Sequence, residues 1–138
     1  MKTSKIIAAY TILSGSKLTK MTGAEKVKVI KIINALKPYY TDYMDKLEEA
    51  RKRLKPEWYT EGKETEWNYR GIYSDKLTGE EKDGIHDYLK NLDTCMKDDF
   101  EKEQDVDYTH LTDDEFLKYA ESNDFTAGQL TDLQDLIA

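Results

Sequence analysis

A chain of 138 residues with 38% hydrophobic and 36% charged residues suits one domain of helices with wet outer faces better than a thick multilayer core. Its single cysteine, Cys95, excludes an internal disulfide and fits a reducing compartment. The net charge of −7 opposes direct binding to nucleic-acid backbones, and no run approaches the roughly 18 apolar residues of a membrane-spanning helix.

The charge is divided along the chain. Residues 1–56 carry +8 and residues 57–138 carry −15. Two readings follow. Basic and acidic helices pack beside one another, or the two poles steer a partner, including a second copy of the chain.

The N-terminus, MKTSKIIAAYTIL, has a lysine and a short apolar run, as a signal peptide does. Tyr10 and Thr11 interrupt the run, and Lys17 and Lys20 follow where a small-residue cleavage site belongs. The segment reads instead as a helix over 4–14, with Ile6, Ile7, Tyr10 and Leu13 at helical spacing and Gly15 as its stop. Residues 16–21, SKLTKM, are short enough to be extended.

Thr22-Gly-Ala-Glu25 is a capping box, in which threonine and glutamate satisfy each other's backbone N–H groups. It opens the dominant element, a helix over 23–54. Val29, Ile33, Leu36, Tyr40, Tyr43, Leu47, Ala50 and Leu54 follow in alternating steps of four and three, the seam of a helix packed on a helix. Pro38 interrupts the seam, removes one backbone donor and crowds the carbonyl of Asn34. The register continues across it, which predicts a kink at 34–38 rather than two helices. Lys26, Lys28, Lys31, Lys37, Arg51, Lys52 and Arg53 form a basic stripe, and Pro56 stops the helix.

Residues 55–77 connect the helices and hold both tryptophans: Trp58, Tyr59, Trp67, Tyr69 and Tyr73. These aromatics cover the seam, form a short hairpin, or present a recognition surface. Thr78-Gly-Glu-Glu81 is a second box and predicts a helix over 78–103, with Ile85, Leu89, Leu92, Met96 and Phe100 on one face and Tyr88 and Cys95 beside it. Its spacing matches an antiparallel partner for helix 23–54. Its end is acidic: Asp98, Asp99, Glu101 and Glu103.

The last part, 104–138, reads as strand, helix, helix. Residues 105–110 alternate, with Val106 and Tyr108 apolar, so a two-stranded element pairing 16–21 with 105–110 is one option. Thr112-Asp-Asp-Glu115 and Thr126-Ala-Gly-Gln129 are two more boxes, with Leu111/Phe116 and Phe125/Leu130 as their hydrophobic staples. The fold expected is mainly α, one domain of about five helices.

No catalytic, metal or cofactor constellation emerges. His86, His110 and Cys95 lack zinc-ligand spacing, and the acidic run 98–107 lacks the glycine and final glutamate of a calcium loop. Cys95 falls on the expected buried side of its helix, where it acts as a small apolar residue. No glycine-rich loop precedes a helix. The expected function is therefore contact with other proteins. The interface candidates are Trp58, Tyr59, Trp67, Tyr69, Tyr73, Tyr40, Tyr43, Asp98, Asp99 and Glu101.

Several stretches also resemble a known family. AYTIL, SKLTKM, EKVKVIKIINALKP and DKLEEARKRLKP near the start are similar to small proteins encoded by tailed phages and prophages of gut Bacteroidetes, the crAss-like phages and their relatives. VDYTHLTDDEFLKYAESNDFTAGQLTDLQDLI is similar to the close of that family. The resemblance covers about residues 1–56 and 104–138. It implies a phage origin, a place among virion or assembly proteins, and production in the host cytoplasm. Other phage proteins or self-association are the partners expected, while apolar run length and net charge speak against membrane and direct nucleic-acid binding. It brings no functional residues with it. An acidic inhibitor of a host defence or nucleic-acid enzyme is the alternative.

Overall fold

A computed structural model describes residues 1–56 and 79–137. Among the described residues five α-helices follow in order: α1 (Thr3–Ser14), α2 (Gly23–Leu54), α3 (Gly79–Glu101), α4 (Asp113–Glu121) and α5 (Ala127–Asp132). A 3-10 turn, Gln134–Leu136, follows α5. The protein is mainly helical, and the described residues contain no sheet. The chain packs as two compact units, residues 1–44 with 99–138 and residues 45–98.

The first unit joins both ends of the chain around one core. Ile6, Ala9 and Leu13 of α1 meet Val29, Ile32 and Leu36 of α2. Leu111, Tyr119, Leu133 and Leu136 complete the cluster from the C-terminal side. Phe116, Tyr119 and Phe125 form a run of tilted rings at 6.3 and 5.3 Å, offset geometry that aromatic pairs favour. The Tyr119 hydroxyl is fully buried and makes no hydrogen bond among the described residues; burial pushes its pKa up to about 12.

Helix α2 is continuous through Pro38, so the one-helix reading holds. At 32 residues it is about 48 Å long. Its buried stripe differs in detail from the expected seam. Val29, Ile32, Leu36, Tyr43 and Ala50 are buried. Ile33, Tyr40, Leu47 and Leu54 are only half-buried. Tyr43 rests on Phe100 at 5.7 Å, and in the second unit the Arg53 guanidinium donates to the Cys95 thiol at 3.2 Å.

In the second unit α3 buries Ile85, Tyr88, Leu92 and Met96. Two expectations fail here. Tyr88 is buried, whereas Cys95 is exposed. The Arg53 contact explains Cys95: it lies at the polar margin of the face, where a charged side chain reaches it. The helix also ends at Glu101, two residues early. The residue 103 backbone pairs instead with Lys2, and Thr3 N–H donates to the Lys102 carbonyl at 2.9 Å.

The proposed pairing of 16–21 with 105–110 does not form. Side chains replace the strand. Asn123 accepts from Lys17 N–H through Oδ1 at 2.7 Å and donates through Nδ2 to the Lys17 carbonyl at 2.8 Å. Ser122 Oγ accepts from Lys20 N–H at 2.8 Å. One asparagine thus offers a backbone the donor and acceptor that a neighbouring strand would supply. Gly15 follows α1 with φ at −100°, so its stop needs no left-handed turn.

Two substitutions test this architecture. Pro38 is exposed inside a helix, so Pro38→Ala restores a backbone donor and should stabilise by about 1–3 kcal/mol in chemical denaturation. A loss instead would mean that the core depends on the backbone geometry that proline fixes at this position. Asn123→Ala should cost about 1–3 kcal/mol, because it removes two hydrogen bonds to the Lys17 backbone at about 0.5–1.5 kcal/mol each; a neutral result would mean that water takes over both bonds.

Candidate interaction surfaces

Two of the capping boxes are wired to each other. In α2, Thr22 N–H donates to Glu25 Oε1 at 2.8 Å and Glu25 N–H donates to the Thr22 hydroxyl at 3.3 Å. In α4, Thr112 and Glu115 repeat the exchange at 3.0 and 3.2 Å. One turn further along each helix stands a lysine. Lys28 of α2 donates to Glu115 at 2.7 Å, and Lys118 of α4 donates to Glu25 at 3.1 Å. The two Thr-x-x-Glu-x-x-Lys segments therefore cross, each lysine closing the other helix's cap.

The electrostatics follow. The Lys28 ammonium, with the Thr112 backbone N–H, holds the Glu115 carboxyl down at about 2. The Thr22 backbone N–H, with Lys118, lowers Glu25, and Glu25 in turn raises Lys118. Both carboxylates are largely shielded from solvent.

This crossing commits one side of α2 and one side of α4 to the fold and leaves their other sides open. On α2 the open stripe is Val27, Ile30, Asn34, Lys37, Thr41 and Met44, again in steps of three and four, and all six are exposed. Val27 and Ile30 are each 49% exposed. On α4, Leu117 is 55% exposed. None of these three was among the interface candidates. Their signal was in the sequence: each is an apolar residue at a position off the buried register of its own helix.

The expected candidates divide differently. Trp58, Tyr59, Trp67, Tyr69 and Tyr73 lie outside the described residues. Tyr43 is buried against Phe100 and is spent on packing, which removes it as an exposed anchor. Tyr40 is half-buried and stacks on Tyr10 at 4.3 Å. Asp98 and Glu101 are exposed, and Asp99 is half-buried.

One open groove of about 440 Å³ lies in the first unit, lined by Lys2, Lys5, Glu103, Tyr108, His110 and Asp135 among others. Tyr108 forms part of its wall, donating to the Asp135 carbonyl at 2.7 Å and meeting the His110 ring in a tilted contact at 4.7 Å. His110 makes no hydrogen bond or ion pair among the described residues, so no carboxylate orients it as an acid–base partner would. Among the described residues no group of three or more His, Cys, Asp or Glu side chains could hold a metal ion. No described helix is long and apolar enough to cross a membrane.

Compared with known protein families, curated proteins and solved structures, the chain matches none.

The crossed caps predict an acid dependence. Glu115 has a lower pKa folded than its ordinary 4.5, so its contribution to stability is present above about 4.5 and disappears as pH falls towards about 2. Glu115→Gln should flatten the fall in denaturation midpoint across that window. An unchanged slope would show that the Lys28 bridge is open in solution.

Proposed function

We propose that this chain is a phage protein that works through protein–protein contacts, as a virion component or an assembly factor, and not by catalysis. The observation that carries the reading is the pair of open helix faces on the first unit, where apolar side chains sit exposed among charges. Interfaces need such a combination, an apolar centre to exclude water and a charged rim to fix register. The resemblance of residues 1–56 and 104–138 to small phage proteins supports the origin. The aromatic-rich segment 55–77 supplies residue types that anchor interfaces.

A second reading has its own support. The −15 balance of residues 57–138 and the exposure of Asp98 and Glu101 suit an acidic inhibitor of a host defence or nucleic-acid enzyme. That reading requires a salt-sensitive complex with one host protein, abolished when Asp98, Asp99, Glu101 and Glu103 are neutralised.

Mass spectrometry of purified particles from a phage encoding this chain separates the readings. Stoichiometric presence supports a virion protein. Absence from particles, with co-purification of a capsid or tail precursor from infected cells, supports an assembly factor. Capture of a host enzyme alone, with no phage protein, would overturn the first reading in favour of the second.

A further inference from the structure

The two open faces of the first unit carry opposite charge. On α2, Val27 and Ile30 are flanked by Lys26 and Lys31, and Lys37 continues the stripe. None of these three ammonium groups has an ion pair among the described residues. Residues 26–41 contain four lysines and no carboxylate, and the fourth, Lys28, is committed to Glu115. On α4, Leu117 stands between Asp113 and Glu121, one turn to either side, with Asp114 beside it. All four are exposed. The one cation of that helix, Lys118, is bound to Glu25 and Asp114. The result is an apolar pair rimmed by free lysines on one helix and an apolar knob rimmed by carboxylates on another. Both belong to one folded unit, yet both remain half exposed, so neither covers the other.

From this charge complementarity we infer that the occupant of each face is a second copy of this chain. Leu117 of one molecule sits against Val27 and Ile30 of the next, and Asp113, Asp114 and Glu121 face Lys26, Lys31 and Lys37. The inference rests on the protein-contact reading above and names the partner and the surfaces. The two faces are different, so the contact is heterologous. Each molecule offers one basic and one acidic face, and copies add head to tail into a ring or an open filament. The pairs lie at the surface, where salt screens them over about 8–10 Å at moderate ionic strength, so assembly is salt-sensitive.

The test uses the full chain and four variants. At low ionic strength the wild-type mass measured by light scattering should rise with concentration above the 16.1 kDa of one chain and return to it in ~0.5 M salt. The double variant Val27→Ser/Ile30→Ser and the single variant Leu117→Ser should each stay at one chain's mass. Mixed in equal amounts they should form dimers and nothing larger, because only one competent contact remains between them. The altered side chains are half exposed, so their melting curves should match the wild type. If the double variant melts early, Lys26→Glu/Lys31→Glu takes its place and should likewise pair only with Leu117→Ser; if Leu117→Ser melts early, Asp113→Lys/Glu121→Lys takes its place in the same way. A wild type that keeps one chain's mass at every concentration overturns the inference, as does a mixture that forms no dimer. Such a result leaves the particle analysis standing, and a protein missing from particles leaves this self-association standing, so the two failures are distinguishable.

Discussion

The crossed ion pairs between α2 and α4 are the constraint on which the first unit turns. A helix start leaves backbone donors unpaired, and a capping box is the local remedy. Here the remedy is shared. Glu25 and Glu115 each cap their own helix and receive a lysine from the other. Neither glutamate can leave its cap without also releasing the opposite helix's lysine. Exposed ion pairs contribute little because water and side-chain entropy compete with them. These two carboxylates are shielded and already held by backbone N–H groups, so less ordering remains to be lost when the lysines arrive. Register between the N-terminal and C-terminal parts of the chain is set at this point, and Tyr119 and Val29 enter the core one turn beyond it.

The same crossing separates inside from outside on both helices. It turns Val29, Ile32 and Leu36 inwards, which leaves Val27, Ile30 and Lys37 on the far side. It turns Tyr119 inwards, which leaves Leu117 out. The bipolar charge follows the same division. Part of the basic N-terminal half is neutralised internally, through Lys28 and Lys5, the latter bridging to Asp132 at 3.5 Å. What remains unneutralised is gathered on outer faces.

Much of this was legible in the sequence because local rules and tertiary packing agree. Three boxes at Thr22, Thr112 and Thr126 form as their spacing requires, and the helices begin within a residue of the expected starts. That each long helix carries an apolar stripe could be read from spacing alone. What was not legible depends on partners distant in the chain. Ile32 replaces Ile33 as the buried residue because α1 and the C-terminal cluster, which the seam pattern cannot see, define the inward direction. Cys95 faces out because Arg53 reaches it, a contact between residues 42 positions apart. The strand expected at 16–21 is absent because Asn123, at the end of another helix, supplies its hydrogen bonds. The last helix is shorter than its leucines suggest. The chain tightens into a 3-10 turn at Gln134–Leu136, which lets Leu111 N–H donate to the Leu136 carbonyl at 2.7 Å.

The first unit is assembled from residues 1–44 and 99–138, with the whole second unit inserted between them. On a ribosome its first half must therefore wait. Ile6, Leu13, Val29 and Leu36 emerge first, and the residues that cover them, Leu111, Tyr119, Leu133 and Leu136, follow about 75 residues or more later. Until then the nascent chain displays bare apolar surface beside an excess of lysines, the condition in which chaperones engage and misassembly begins. Emergence of residues 111–136 is thus the event that closes the core and finishes both outer faces together, so a chain cut before them would lack the acidic surface while still carrying the basic one.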